Sequence, residues 1–210
     1  MVTAMAESAQ VGVLAIRNPD AVNPPRHAVL VRITHWIHTF GFLALVASGA
    51  AILVAHPRLY WGETGAFGSP ALIELPIPLN MDQSGWGRSL HFLGAWVCVL
   101  NGMVYALSGL LTRHFSARMQ QTYNVLQRLA YLGVVFLLFP SIVVTGLAMS
   151  PAVGAALPAI VGVLGGHQSA RTVHFFAANL LVLFLIVHVT MVGLTGFSAR
   201  MRAMIANEQL

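Results

Sequence analysis

Lysine is missing altogether, and only 8% of the 210 residues carry a charge, against 57% that are hydrophobic. A soluble domain carries about 25% charged residues. This chain cannot cover a water-facing surface with polar groups, so lipid has to be its solvent. Cysteine is reduced to Cys98, inside an apolar run, which excludes an intrachain disulfide. The first 30 residues lack the charged start and apolar core of a cleavable signal and hold Pro19, Pro24 and Pro25 instead.

What charge there is gives a formal +5, all of its positive side chains arginine. These arginines flank apolar runs and are not interleaved with aromatic or polar nucleic-acid-binding patterns, which fits membrane topology and not RNA or DNA. Residues 1–29 read as an irregular arm, in which Val11–Ile16 is too short to span. Four apolar runs follow, at Leu30–Val54, Ser89–Leu111, Val125–Met149 with a kink at Pro140, and Arg171–Leu194. Each approximates the ~20 residues that cross a bilayer. Pro151, Pro158 and several glycines interrupt residues 151–169, which read as a surface-lying or re-entrant piece and not a fifth span. The expected fold is all-α: a four-helix transmembrane bundle over residues 30–202, with a short tail at 203–210.

With the amino terminus in the cytoplasm, Arg17, Arg26, Arg32, Arg113, Arg118, Arg128, Arg200 and Arg202 lie inside, and only Arg58, Arg88 and Arg171 lie outside. That bias obeys the positive-inside rule and predicts both termini on the cytoplasmic side. The first external loop then carries Glu63, Glu74 and Asp82 with Tyr60, Trp61 and Trp86. It reads either as a partner-docking or quinone-access surface or as an interfacial aromatic belt.

Ionisable residues within spans are costly and usually functional. Four histidines matter most: His35, His91, His174 and His188. His174 and His188 are 14 residues apart on one helix. They share a face, to within about 40°, at depths about 21 Å apart. His35 opens the first span from inside, and His91 opens the second from outside. Depth alone therefore pairs His91 with His174 near the outer face and His35 with His188 near the inner face. Neutral imidazole is a good axial ligand for haem iron. With no CxxCH sequence, covalent c-type attachment is excluded, and two stacked non-covalent haems b are expected.

Arg32, Arg88 and Arg171 each stand three residues before a histidine, on the same helix face and a turn nearer the membrane surface. Their forked guanidinium groups suit haem propionates, although interfacial anchoring would place arginines there as well. His38 rivals His35 from a turn deeper, or else borders the haem or a quinone. His27, His56, His114 and His167 fall near aqueous ends. Gly41, Gly49, Gly94, Gly102, Gly146 and Gly193 would admit a flat macrocycle or close helix packing.

Arg32-Ile-Thr-His35-Trp36, Ser48-Gly49, Arg88-Ser-Leu-His91 and Arg171-Thr-Val-His174 with His188 resemble the bacterial di-haem cytochromes b. These are the membrane subunits of nickel–iron hydrogenases, formate dehydrogenases and thiosulfate reductases, together with stand-alone relatives. The resemblance covers residues 26–202. It implies bis-histidine haem b ligated by His35, His91, His174 and His188, quinone chemistry, a bacterial inner-membrane location and a catalytic partner subunit. The Trp61-Gly-Glu-Thr-Gly loop is similar to that of cytochromes b serving molybdopterin oxidoreductases. The function expected is electron transfer between the quinone pool and that partner. The alternatives are a stand-alone quinone oxidoreductase fed by a reductant such as superoxide, and a haem-free transporter or assembly protein.

Overall fold

The computed structural model describes residues 29–65, 69–77, 85–111, 129–130 and 132–205. The chain is mostly helical. Helix α1 is Val29–Ala55, and a two-stranded antiparallel hairpin follows, β1 (Arg58–Leu59) with β2 (Ile73–Glu74). Helix α2 is Trp86–Leu111. A π-helical turn over Gly133–Leu138 runs into α3 (Phe139–Ala148). Then come two short helices, α4 (Pro151–Ala156) and α5 (Pro158–Val163), the long α6 (His167–Leu194) and a final α7 (Phe197–Ile205).

Three of these, α1, α2 and α6, are long and apolar enough to cross a membrane, and Gly133–Ala148 is a shorter apolar helix. The protein is an integral membrane protein. Many of its large apolar side chains point outward, as on Phe40, Leu110, Phe136 and Leu183, while many buried positions are small or hydroxylated, as at Ser48, Thr145, Ala148, Ala170 and Thr172. Lipid supplies no hydrophobic drive between helices, so close packing of small residues and interhelical hydrogen bonds do the work.

The main interfaces join α1 to α2 and α3 to α6. Across the first, an added Cβ at Gly41 would come within 2.6 Å of Cys98 Sγ, and one at Gly94 within 3.3 Å of Leu45. These contacts fix an antiparallel register in which Gly49 lies beside His91 and Gly102 beside His38.

The expected kink at Pro140 takes the form of the π turn. Proline has no N–H for the carbonyl four residues back, and its ring crowds that carbonyl. The preceding turn widens, and Phe139 N–H donates to Val134, five residues back. Residues 151–163 form two helices of six residues each, too short to span, as their prolines and glycines predict. Helices α2 and α6 begin about a turn earlier than their hydropathy suggests, so Trp86 opens α2 and is not a loop residue. Arg17, Arg26, Arg113, Arg118, Arg128, Asp82, His27 and His114 lie outside the described residues.

The loop after α1 is tied to the start of α6. The Gly62 carbonyl accepts from the N–H groups of Gln168 (3.0 Å) and Ser169 (3.3 Å), two of the donors that a helix start leaves without partners. Gly62 N–H donates to Ser169 Oγ (2.7 Å), and Thr172 Oγ1 donates to the Tyr60 carbonyl (2.6 Å). Gly166, at φ 110°, turns the chain into α6, and a Cβ there would collide with the Gly62 carbonyl.

Candidate haem centre

His91 and His174, the pair expected at the outer face, meet between α2 and α6. Their ring centroids are 6.2 Å apart, with planes at 63°. An imidazole nitrogen sits about 2 Å from a bound metal ion, so two rings ligating one iron from opposite sides have centroids roughly 6 Å apart. The observed spacing matches.

A neighbouring helix orients each ring. Ser48 on α1 stands 3.1 Å from His91 Nδ1, and Thr145 on α3 stands 2.9 Å from His174 Nδ1. Both hydroxyl protons are already spent within their own helices, Ser48 Oγ on the Ala44 carbonyl (2.7 Å) and Thr145 Oγ1 on the Ser141 carbonyl (2.6 Å). Each hydroxyl oxygen is therefore left to accept, and each histidine donates from Nδ1–H. That tautomer puts the lone pair on Nε2, where a metal ligand needs it, with the outer hydrogen bond fixing ring and tautomer. A glycine follows each hydroxyl residue. A Cβ at Gly49 would lie 3.5 Å from His91 Cε1, and one at Gly146 would lie 3.4 Å from His174 Cε1. Larger side chains there would press on the rings or on a macrocycle between them.

Among the described residues no group of three or more His, Cys, Asp or Glu side chains could hold a bare metal ion. Two imidazoles at this spacing suit an iron whose other positions a porphyrin fills, and the residues present fit haem b.

At the end of the molecule expected to face outward, the charges of Arg88 and Arg171 act on His56. Burial and these two guanidinium charges push the His56 imidazole below its ordinary pKa, so it stays neutral there. Arg171 donates to the His56 carbonyl (2.5 Å), which ties one of its nitrogens to the loop. The outer aromatic and acidic residues divide: Tyr60 is buried, Trp61 and Trp86 are exposed, Glu74 pairs with Arg58 (2.8 Å), and Glu63 faces His167 (3.7 Å).

At the other end, the fold relates His35 and His188 by depth. Gly49 marks the level of His91 on α1, and His35 precedes it by 14 residues. His188 follows His174 by the same number, so both lie about 21 Å inward from the outer pair. His35 stands edge-on to Trp36 with centroids 5.8 Å apart, and His188 stacks on Phe184 at 6.0 Å. Trp36 Nε1 donates to the Met204 carbonyl (3.2 Å), so α7 folds back over this end of α1. Arg32 Nε is buried and makes no hydrogen bond among the described residues, which suits an anionic partner such as a haem propionate.

His38, the rival to His35, carries the opposite hydrogen-bond polarity. Asn101 Nδ2 lies 2.8 Å from the Thr34 carbonyl, which can only accept, so this atom is the amide nitrogen. Its second proton goes to His38 Nδ1 at 2.7 Å. His38 Nδ1 is thereby an acceptor and Nε2 carries the proton, which is the wrong tautomer for an iron ligand. Sequence reasoning singles out Ser48-Gly49 but misses Ser48, Thr145 and Asn101 as the residues that set the three tautomers. The repeated pattern of a hydrogen-bonding residue followed by glycine, at Ser48-Gly49, Asn101-Gly102 and Thr145-Gly146, is the signal that could have found them.

Comparison with known proteins agrees with this site. The family model described as prokaryotic cytochrome b561 matches residues 26–207. A YedZ1 protein from Azospira oryzae, whose name describes it as a subunit of a protein-methionine-sulfoxide reductase, is 31% identical over 201 residues, covering 83% of this chain and 91% of its own. No solved structure matches the chain significantly. The protein is an integral membrane, haem b-binding cytochrome, and the chain belongs to the prokaryotic cytochrome b561 family.

Proposed function

We propose that this cytochrome is an electron-transfer subunit of the bacterial inner membrane that links a quinone pool to a partner oxidoreductase through two haem sites. His91 and His174 hold the outer iron. His35 and His188 hold the inner one, with Arg32 at the inner rim and Arg88 and Arg171 at the outer rim for the propionates. The observation that carries this reading is the His91–His174 pair, with ring centroids 6.2 Å apart and a hydroxyl oxygen within 3.1 Å of each Nδ1.

Bound haem b would supply one-electron chemistry, and holding its iron through histidines would favour outer-sphere transfer over oxygen activation. The chain's residues do the rest. Ser48 and Thr145 hold the rings, Gly49 and Gly146 leave flat space beside them, and apolar spans exclude water. The arginine distribution supports both termini in the cytoplasm. The hairpin, α4 and α5 would then face the opposite side, where an oxidoreductase partner docks against the exposed Trp61 and Trp86. A reductase-subunit name on a relative covered along 91% of its length supports such a partner; the resemblance of the Trp61-Gly-Glu-Thr-Gly loop suggests a molybdopterin enzyme.

Mixing the purified, haem-loaded protein with a short-tailed quinol tests the quinone half, with reduced haem b as the readout. Reduction by quinol, together with co-isolation of an oxidoreductase subunit from native membranes, is the expected result. Quinone turnover coupled to a small reductant by the isolated chain would favour the stand-alone alternative. Neither quinol nor quinone exchanging electrons with the haems would remove the quinone from the account.

A further inference from the structure

Between α1, α2 and α3, at the inner half of the molecule, the proposed haem sites leave His38 unused. It lies at the α1–α2 interface, with Phe139 of α3 edge-on at 6.3 Å and with its Cε1 3.6 Å from the position of a Cβ on Gly102. Asn101 is buried, and its amide spends both protons, one on the Thr34 carbonyl and one on His38 Nδ1. The imidazole is thus locked as a donor at Nε2. Among the described residues Nε2 has no hydrogen-bond partner, and it is not sealed inside the protein. A polar donor at this depth that the protein leaves unsatisfied costs free energy unless something else accepts from it.

We infer that His38 and Asn101 form a binding site for the carbonyl head of a membrane quinone, with His38 Nε2–H as the hydrogen-bond donor. The inference rests on the proposed quinone function and deepens it. Three features choose this ligand class. First, His38 lies within an apolar span, so an apolar molecule that enters from lipid and carries a carbonyl oxygen can accept from it. Second, the walls match: Gly102 leaves room beside the ring, and Phe139 adds an aromatic edge against which a flat head can lie. Third, position separates the site from a propionate site. His38 is a turn deeper than His35, whereas Arg32, the residue suited to a propionate, is a turn nearer the surface than His35. His38 counts as 11 residues from Gly49, or about 16 Å inward from the outer pair. A quinone held there sits beside the inner haem level without competing for its iron.

Asn101 is a positioning residue, and that makes the inference testable apart from any structural role. In Asn101→Asp the amide donor becomes an acceptor, which turns His38 to the Nδ1–H tautomer and removes the Nε2 donor while the imidazole stays. His38→Leu removes the donor outright, and His38→Gln restores an N–H at similar reach. Equilibrium binding of decylubiquinone to the haem-loaded protein in nanodiscs is measured beside the haem spectrum. One hydrogen bond lost corresponds to a dissociation constant raised about tenfold. That rise is expected in His38→Leu and Asn101→Asp, with partial recovery in His38→Gln and both haem spectra unchanged. Loss of a haem in His38→Leu would make His38 a ligand and overturn the inference. So would unchanged binding in both donor-removing variants, even if quinol still reduces the wild-type haems. Absence of decylubiquinone binding and of quinol reduction in the wild type would overturn the quinone function itself and this site with it.

Discussion

Alanine at His91 or His174 is expected to remove the same proposed outer haem, and alanine at His35 or His188 the same proposed inner one. The grouping follows from distance. An imidazole cannot reach an iron about 21 Å away along the bundle, so a lost ligand is not replaced from the other site. The remaining iron has an open position, and its haem is held only by packing and propionate contacts. That haem becomes high-spin or dissociates, while the other keeps its spectrum and potential. Spectra of the four variants therefore fall into two groups of two. His38→Ala belongs to neither group, because its Nδ1 accepts from Asn101 and its Nε2 carries the proton. If His35 grouped with His174, or if His38→Ala removed the inner haem in place of His35→Ala, the ligand assignment would be wrong.

The second large effect belongs to the glycines beside the outer pair. A methyl at Gly49 or Gly146 makes ordinary van der Waals contact with the adjacent ring, at 3.5 and 3.4 Å. Alanine is thus nearly tolerated. Valine adds two carbons on a stiff, branched stem, and these reach into the space beside the ring that a macrocycle would occupy. Gly49→Val and Gly146→Val are expected to cut occupancy of the outer haem several-fold and to leave the inner haem in place. Overpacking of this kind costs about 1–3 kcal/mol. Full outer-haem occupancy in both valine variants would show that the macrocycle does not pass these glycines.

Much of this site is legible in the sequence. Hydropathy locates α1, α2 and α6 because lipid demands long apolar runs, and it places the starts of α2 and α6 late because their first turns hold Arg88, His167 and Gln168. The 14-residue step from His174 to His188 sets two depths by helix geometry alone, and the contact of His91 with His174 follows from it. The tautomers are not legible. Whether Ser48, Thr145 or Asn101 donates or accepts depends on which carbonyl takes its proton, and only packing decides that. For the same reason His35 and His38 are rivals in the sequence, and only the fold shows the Asn101 contact to His38 Nδ1. The hairpin Arg58–Glu74 has strands of two residues, too short for a period-two pattern, and it holds through Arg58–Glu74 and the backbone bonds to α6. The fold-back of α7 onto Trp36 is a contact across 168 positions of sequence, which no local pattern announces.

One polypeptide is proposed to hold two irons, each between two histidines. This is tested most directly by a reduced-minus-oxidised spectrum of the purified protein, with haem b quantified per chain after expression in haem-sufficient cells. Two low-spin haems per polypeptide are predicted. A single haem per chain, a high-spin spectrum, or a protein without visible absorbance would contradict the account.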